Sequence, residues 1–342
     1  RIKLFTIYII LCIISTIGDM IMKNKNRVSF LQDLKSNLSW LFSINNIDDH
    51  YVIKLFGIKI CKKYNYIYNF NEVNTLGVTD KKREIKLIVS LTTYPARINS
   101  VYKTISTLLQ QTLKPDEVIL WLSEEQFPNK QLPENLTRLQ EFGLSIKWCK
   151  DDIKSFKKLI PALAEYKNDI IVTVDDDNYY DKRLLEFLYN SYLENPECIQ
   201  ARQAFVVKIN KDNKLTMNAR NYTYNSTYLP NFLNEPVGCG GVLYPPKSLH
   251  ENVLNSEQFM KELPTHDDLW FWGHAIRNNT KIKVLKNGYK LKNYIVEGSQ
   301  TDSLWQKNMK NPTTNVGMTG ECAINKMCEL FPEIKERLLQ EK

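Results

Sequence analysis

The sequence contains seven cysteines but no CxxC pair and no regular spacing between them. Their odd number and scattered positions suggest neither a disulfide framework nor the ligand spacing of a zinc finger. Several of them stand in apolar, strand-like stretches, where cysteine usually acts as a small buried hydrophobic residue. A reducing compartment, the cytoplasm, is therefore expected.

The chain also lacks the patterns of nucleic-acid-binding proteins. It has no zinc-finger spacing, no RNP-like aromatic motif and no basic-region helix. Its net charge is +8 with a pI near 8.9, and the lysines are scattered rather than grouped in one block. This mild excess of positive charge suits binding to an anionic membrane surface or a phosphorylated substrate better than binding to nucleic acid.

The apolar segment nearest the N-terminal end, Leu4–Ile17, has about 14 residues, whereas a membrane span needs roughly 20. Residues 1–22 therefore have two interpretations. They are either part of a membrane anchor or residues that precede a start at Met20 or Met22, and the second is preferred.

The rest of the chain divides into a prelude and linker over 23–84, a strand–helix alternation over 85–310 and a helical tail over 311–342. The alternation predicts an α/β domain with a doubly wound, mostly parallel sheet. Its first half contains the strands Ile85–Leu91, Glu117–Leu122, Leu144–Cys149 and Asp169–Val174, with helices at Ser100–Gln111, Leu136–Phe142 and Ser155–Tyr166. Its second half contains the strands Ile199–Ile209, Gly241–Tyr244 and Lys281–Leu285, with helices at Leu184–Leu193 and Asp267–Arg277.

The fourth predicted strand runs directly into three consecutive carboxylates, Asp175, Asp176 and Asp177. Ligands of open α/β sheets bind outside the carboxyl ends of the strands. Three adjacent acids repel one another unless a cation lies among them, and a hard divalent cation takes oxygen ligands from carboxylates and from a nucleotide diphosphate. An acidic helix start or a solvated acidic turn is the alternative. An EF-hand is a poor match, because the loop lacks both the central Gly and the closing Glu.

Four segments, in order, carry a resemblance to a known family: Val89–Arg97, Asp175–Asp177, Gly238–Pro246 and Thr265–Trp272. Their order and spacing resemble the GT-A glycosyltransferases, most closely the bacterial family-2-like group that builds surface polysaccharides. The resemblance covers about residues 85–300. It implies a Rossmann-like GT-A fold and transfer of a sugar from a nucleotide-sugar donor, expected to be a UDP-sugar.

By this resemblance the acid triplet corresponds to the family's DXD element, which binds the donor and a metal ion. Asp175 is expected near the ribose of the nucleotide, and Asp176 also belongs to the nucleotide site. Asp177, together with Asp175, is expected to ligate Mn²⁺ or Mg²⁺ between the two phosphates. Such a cation neutralises a diphosphate leaving group as its charge develops.

The loops after the first and third strands complete the nucleotide site that the resemblance implies. Thr92, Tyr94 and Arg97 follow the first strand, and Arg97 is expected to pair with a phosphate or the base edge. Asp151 ends the third strand and is expected at the nucleobase. Lys158 opens the next helix and is expected to reach a phosphate. An ordinary surface arginine and a solvated lysine face remain the alternatives.

The acidic pair Asp267-Asp268 opens a predicted helix ahead of three aromatic residues. In inverting GT-A enzymes an acid at this place is the general base that takes a proton from the acceptor hydroxyl. A carboxylate near an apolar aromatic wall has a raised pKa, which suits a base. Asp268 is preferred by position, although the family's usual pair is Glu-Asp, so Asp267 stays a candidate.

The glycine-rich segment and the tryptophans after the acidic pair are candidates for the sugar and acceptor site. Gly238, Gly240 and Gly241 permit close backbone approach to a ligand, and by resemblance their strand forms the floor of that site. Trp270 is expected to stack on a sugar ring, with a core position as the more common alternative for tryptophan.

The predicted function is a metal-dependent, inverting transfer to a glycan or lipid-linked glycan of lipopolysaccharide or capsule, at the inner face of a bacterial inner membrane. A sugar nucleotidyltransferase is an alternative, but it would carry a Gly-rich loop after the first strand, where this chain has Thr-Thr-Tyr-Pro-Ala-Arg. A non-catalytic glycan- or nucleotide-binding module is the other, and the presence of both acidic groups argues against it. No His follows His274, so the segment Gly298–Trp305 offers no histidine as a third metal ligand.

Overall fold

The computed structural model describes residues 42–47, 50–55, 58–63, 72–217, 222–223, 229–302 and 319–341. The apolar segment Leu4–Ile17 lies outside them. The chain forms two compact units, residues 1–67 and 68–342. The boundaries predicted from the sequence, at 22, 84 and 310, remain predictions. Among the helices in the described ranges, none has the length and apolarity needed to cross a bilayer.

The first unit contains an antiparallel three-stranded sheet in the order β1-β2-β3. The strands are β1 (Phe42–Ile47), β2 (His50–Leu55) and β3 (Ile58–Lys63). Ile53 of β2 is paired with Ile44 on one side and Ile60 on the other.

The second unit is built on a seven-stranded sheet in the order β16-β9-β15-β7-β4-β5-β6. All of its strands run in one direction except β15, which is antiparallel to both of its neighbours. The strands are β4 (Leu87–Thr92), β5 (Glu117–Ser123), β6 (Leu144–Cys149), β7 (Ile170–Thr173), β9 (Ile199–Ala201), β15 (Val242–Tyr244) and β16 (Ile282–Val284).

Helices cover both faces of this sheet, which confirms the predicted doubly wound α/β class. Successive residues of β4 enter different cores: Leu87, Val89 and Leu91 belong to one hydrophobic cluster and Ile88 to the other. This alternation follows from the two-residue period of a strand. Continuous apolar runs such as β7 are therefore buried on both sides.

Eight α-helices are present in the described part of the second unit. They are α1 (Val101–Leu108), α2 (Glu134–Thr137), α3 (Ile160–Glu165), α4 (Leu184–Glu194), α5 (Ser256–Glu262), α6 (Asp267–Arg277), α7 (Gly320–Leu330) and α8 (Pro332–Gln340). The first cluster takes residues from α1 and α4, and the second takes residues from α5, α6, α7 and α8. The helical tail breaks at Pro332, since proline starts a helix but cannot continue one.

Short strands outside the main sheet shape the edge where the site lies. One small sheet has the order β13-β10-β14, a hairpin joins β11 to β12, and β17 pairs with β8. Their bounds are β8 (Asn178–Tyr179), β10 (Ala204–Val206), β11 (Lys208–Ile209), β12 (Leu215–Thr216), β13 (Tyr222–Thr223), β14 (Asn234–Pro236) and β17 (Tyr294–Ile295).

Two predicted elements are wrong in their continuity. The strand expected over Ile199–Ile209 is three strands, because the chain leaves the main sheet after β9 and β10 pairs with β14 instead. The helix expected over Ser155–Tyr166 is a 3₁₀ turn, Lys154–Lys158, followed by α3. Pro161 stands in the first turn of α3, where its missing N–H breaks no hydrogen bond.

Candidate active site

The carboxyl edge of the sheet gathers the acid triplet and five other segments around it. Asp175–Asp177 follow β7, and Thr93 and Arg97 follow the neighbouring strand β4. The 3₁₀ turn before α3 brings Lys158, and the start of α6 brings Asp267 and Asp268. The segment after β17 and the turn Gly238–Gly240 complete the edge.

Asp176 is buried and held by two side chains from the loop after β4. Thr93 Oγ1 donates to Asp176 Oδ2 at 2.5 Å, and Arg97 Nη1 lies 2.5 Å from Asp176 Oδ1. The backbone carbonyl of Asp176 accepts from Thr104 Oγ1 at 2.9 Å. Asp176 therefore anchors the loop to the triplet, because its carboxylate is already occupied by protein donors.

Asp177 is turned toward the segment after β17. Its Oδ2 lies 3.1 Å from Arg97 Nη1 and accepts from Gln300 Nε2 at 3.0 Å, and its Oδ1 accepts from Asn178 Nδ2 at 2.7 Å. Burial and the charge of Asp175 raise the pKa of Asp177 to about 6, against the opposing effect of Arg97. The carboxyl group of Asp177 therefore lies in a region with an excess of negative charge.

Asp175 is the most exposed member of the triplet and contacts Lys158 rather than Arg97. Its Oδ1 lies 3.0 Å from Lys158 Nζ. Its backbone N–H donates to the hydroxyl of Tyr180 at 2.9 Å, and that hydroxyl donates to the carbonyl of Cys239 at 3.2 Å. Tyr180 thus ties the triplet to the Gly238–Gly240 turn.

Lys158 joins the triplet to the second acidic group. Its Nζ lies 2.7 Å from Asp267 Oδ2 and 3.1 Å from Asp268 Oδ1, in addition to its contact with Asp175. The side chain is 4% exposed. Burial alone would lower the pKa of Lys158, but the three carboxylates outweigh it and raise the pKa well above the usual value. Lys158 is therefore a buried, charged ammonium.

The two acids of the second group have different environments. Asp267 is 10% exposed and accepts from Ser155 Oγ at 2.8 Å, whereas Asp268 is 30% exposed. Burial would raise the pKa of Asp267, but the Lys158 ammonium and the Ser155 hydroxyl hold it below its usual range. Desolvation by the surrounding protein, with the charges of Asp267 and Asp175, raises the pKa of Asp268 to about 7. Asp268 combines access with a pKa suited to a base.

Of the three glycines predicted to allow close approach, Gly238 is the one that faces these acids. The backbone N–H of Gly238 donates to Asp268 Oδ2 at 2.7 Å, and a Cβ there would lie 2.5 Å from Asp268 Oδ1. A Cβ on Gly240 would instead meet Gln203, and Gly241 has a φ of +92° beside Leu184. Local packing and backbone conformation account for these two glycines.

Three other predicted residues lie away from the acids or contact different groups. Thr92 Oγ1 donates to the carbonyl of Trp121 at 2.9 Å, so Thr93 rather than Thr92 contacts the triplet. Asp151 is exposed after β6. Tyr94 is half-buried, with the Arg97 guanidinium 5.6 Å from its ring centre.

The prediction that Trp270 stacks on a sugar is corrected. Its side chain is 0% exposed, and its indole N–H donates to the carbonyl of Val253 at 2.9 Å. The ring packs edge-on against Phe259 and His274. Its place in the α6 helix turns it into the core, which leaves no face for a ligand.

Several residues of this edge were not predicted from the sequence. Thr93 lies beside a predicted residue and could have been found from the two-residue period of β4. Gln300 lies in the segment that begins at Gly298, for which the sequence indicated only the lack of a histidine ligand. Glu235 of β14 is buried, and burial with the charges of Asp268 and Asp267 raises its pKa well above the usual value. No sequence pattern marks Glu235.

Two carboxylates of the acid triplet are the candidate ligands for a divalent cation. Within them, no group of three or more His, Cys, Asp or Glu side chains is arranged to hold one. Mg²⁺ is commonly bound by only one or two carboxylates, with water and substrate phosphates as its other ligands. Asp175 and Asp177 offer oxygen ligands of this kind, and the charge of Asp175 helps to raise the pKa of Asp177. They fit a cation that shares its shell with a diphosphate.

Comparison with known proteins gives little beyond these observations. No protein-family model matches the sequence, and no curated protein matches it. The chain is similar to two crystal structures of S. aureus TarS 1–349, one of them in complex with UDP. The identities are 18% and 16%, and the TM-scores are 0.40 and 0.39. Each match covers 59% of this chain and 58% of the other. At these values the likeness establishes no family.

Proposed function

We propose that this chain is a glycosyltransferase that uses a nucleotide-sugar donor and a divalent cation. The observation that supports it best is the convergence of the two acidic groups: Lys158 lies within 3.1 Å of Asp175 on one side and of Asp268 on the other. A transfer of this kind needs one group that binds the departing diphosphate and another that activates the acceptor. Both lie at the carboxyl edge of a doubly wound sheet, where such folds bind ligands.

In the proposed reaction, Asp268 accepts the proton of an acceptor hydroxyl as its oxygen bonds to the anomeric carbon. The bond between that carbon and the phosphate oxygen breaks, and the diphosphate leaves with the electron pair. One displacement of this type inverts the anomeric centre. The Gly238 N–H orients the carboxylate of Asp268, and Ser155 and Lys158 hold Asp267 ionised beside it.

Asp177 and Asp175 would hold Mn²⁺ or Mg²⁺ on the donor side. When bound, the cation would supply positive charge to the diphosphate as it departs. Asp176 is committed to Thr93 and Arg97, so its role is to fix the loop after β4. Arg97 in turn links the triplet to the carbonyl of Ser299 at 2.9 Å.

The finer assignments depend on the motif resemblance. They are a UDP-sugar donor, a glycan or lipid-linked glycan acceptor of lipopolysaccharide or capsule, and action at the inner face of a bacterial membrane. The mildly basic charge of the chain suits an anionic lipid surface.

Isothermal titration with UDP, with and without Mn²⁺, tests the donor side. We expect binding that strengthens at least tenfold with Mn²⁺ and loses that dependence in Asp177→Asn. Asp181→Asn is the matched control, because Asp181 follows β8, close in sequence to the triplet, but pairs with Arg183 outside the acid groups. UDP binding that ignores Mn²⁺ would overturn the proposed metal site.

A donor screen tests the reaction itself. The full chain is incubated with a panel of UDP- and GDP-sugars and Mn²⁺, and release of the nucleoside diphosphate is measured. Release of UDP or GDP from one donor, enhanced by a glycan acceptor, supports transfer. Release of pyrophosphate from a nucleoside triphosphate and a sugar phosphate would instead identify a nucleotidyltransferase.

A further inference from the structure

The ammonium of Lys158 is shared among three carboxylates from two different parts of the chain. Its Nζ lies 3.0 Å from Asp175 after β7, and 2.7 Å and 3.1 Å from Asp267 and Asp268 at the start of α6. An ammonium has three N–H donors. Lys158 Nζ donates to Asp175 Oδ1 and Asp268 Oδ1, and Asp267 Oδ2 lies at ion-pair distance. Among the described residues, no other side chain forms ion pairs of this length with both acidic groups.

The adjacent Lys157 is also buried, but it does not contact the two acidic groups that Lys158 contacts. Lys157 is 1% exposed, and its Nζ binds Asp152 after β6, away from both acidic groups. The two side chains share a 3₁₀ turn and nearly complete burial, but they have no acidic partner in common. Lys157 is therefore a matched reference for the effects of burying and removing a lysine here.

Asp268 is surrounded mainly by acidic groups. Asp267 stands beside it on α6, Asp175 follows β7, Glu235 lies on β14, Cys239 in the adjacent turn and Tyr244 on β15. Lys158 is the cation among the groups that influence it. A single positive charge close to a carboxylate favours its ionised form. A change in the ion pair between Asp175 and Lys158 therefore changes how strongly the ammonium favours the ionised form of Asp268.

We propose that Lys158 is a positioning residue that couples the donor-side acid Asp175 to the base Asp268 through one shared ammonium. The proposal depends on the proposed function for the roles of the two acids, but the coupling itself does not require transfer to be observed. When a donor-side ligand engages Asp175, the ammonium is left to Asp267 and Asp268, which favours the ionised base. The donor would thus prepare the acceptor side before the sugar moves.

Carboxyl ¹³C NMR of the full chain, free of nucleotide and metal, tests the coupling directly. The titration midpoint of Asp268 is followed in the wild type, Lys158→Met and Lys157→Met. We expect Lys158→Met to move the midpoint upward by about one pH unit or more, because a nearby opposite charge is lost. Lys157→Met leaves it in place. An unchanged midpoint in Lys158→Met would overturn the proposal.

A double-mutant cycle tests the link to Asp175. Asp175→Asn is expected to lower the Asp268 midpoint more in the wild type than in Lys158→Met, because only the wild type has an ammonium to release. Additive effects of the two substitutions would contradict a shared ammonium. If the wild type shows the coupling but releases no nucleotide in the donor screen, the proposed function fails while the coupling stands.

Removal of a buried ammonium leaves carboxylates unpaired and could prevent folding. The variant Lys158→Met/Asp267→Asn removes one charge of each sign, and it is compared with Asp267→Asn alone. The midpoint of Asp268 is again expected to be higher in the variant that lacks Lys158, and equal midpoints would overturn the proposal. In transfer assays, loss of positioning shifts the midpoint of the pH profile of kcat/KM. A merely structural defect lowers kcat/KM at every pH and leaves the midpoint unchanged.

Discussion

The backbone N–H of Gly238 donates to Oδ2 of Asp268 at 2.7 Å, and only a residue without a Cβ fits at this distance. A turn between β14 and β15 therefore positions a carboxylate that stands on α6. The hydrogen bond favours the ionised carboxylate, in opposition to burial.

Gly238→Ala tests this close approach. The new methyl group would lie 2.5 Å from Asp268 Oδ1 and 2.7 Å from Lys158 Nζ, so one of the two side chains must move. We expect transfer to fall by about 100-fold, the scale of a displaced catalytic group. Cys239→Ala, in the same turn, is expected to keep most of the activity. Equal rates for Gly238→Ala and the wild type would show that the Asp268 position is unimportant.

Asp268→Asn tests the choice of base. The substitution keeps the shape of the side chain but removes its ability to take a proton. We expect transfer to fall by about 10²–10⁴-fold, with UDP binding retained, as measured by donor turnover and calorimetry. Asp267→Asn is expected to act through Lys158 and to reduce the rate less. Normal transfer by Asp268→Asn with an inactive Asp267→Asn would assign the base to Asp267.

The pH dependence of transfer follows from the raised pKa of Asp268. A general base works in its deprotonated form, so the rate is low while Asp268 is protonated and rises as pH increases through about 7. The profile of kcat/KM between pH 5 and 9 measures this limb. The residual activity of Asp268→Asn is expected to lack this rise of kcat/KM with pH. A limb that persists in that variant would belong to another group.

Arg97→Met tests the structural role of the arginine. Arg97 neutralises Asp176 and Asp177 in a largely buried setting, and its removal leaves both carboxylates without their cation. We expect the free energy of unfolding to fall by about 3–5 kcal/mol in urea titrations. Arg183→Met, which breaks a surface pair with Asp181, is the control and is expected to change little. Similar free energies of unfolding for the two variants would indicate that Arg97 does not stabilise the fold.

Stability at mildly acidic pH is expected to depend on His274. Burial, with the charges of Arg277 and His250, lowers the pKa of His274 from 6.5 to about 3. The unfolded chain therefore takes up a proton below about pH 6.5 that the folded protein does not. This contribution is complete above pH 6.5 and is lost as the pH falls, by about 1.4 kcal/mol per pH unit.

His274→Phe isolates that contribution, because the ring is replaced by one without a titrating nitrogen in the same aromatic cluster. Unfolding in urea is measured at several values between pH 4.5 and 7 for both proteins. The difference in stability between wild type and variant is expected to change across this range in favour of the variant at low pH. A constant difference would show that the pKa of His274 is the same in the folded and unfolded states.

The sheet and the place of the acid triplet could be predicted because they depend on local patterns. Apolar runs such as β7 have the length and composition of buried strands, and the acids after it have to lie at the carboxyl edge. The break after Ala201 could not be predicted in this way. It depends on the pairing of β10 with β14, which is about 30 residues away in the sequence and carries no periodic signal.

Within the site, the sequence indicated which segments meet but not which atoms contact. Lys158 was expected to reach a phosphate, and instead it lies among three carboxylates. Trp270 and Gly241 have the residue types of a sugar site, but core packing and backbone conformation account for both. Such distinctions depend on side-chain direction in three dimensions, which a motif does not record.

The consecutive lysines Lys157 and Lys158 have a consequence for how this chain tolerates changes in length. Each residue of a 3₁₀ turn rotates the side chain by about 120°, so a single insertion or deletion within Lys154–Lys158 would carry each lysine to the wrong partner. Asp152 and the Asp267-Asp268 pair would then both lose their cation. Although the segment connects a strand to a helix as an ordinary surface loop does, its residue count is fixed by two buried charges.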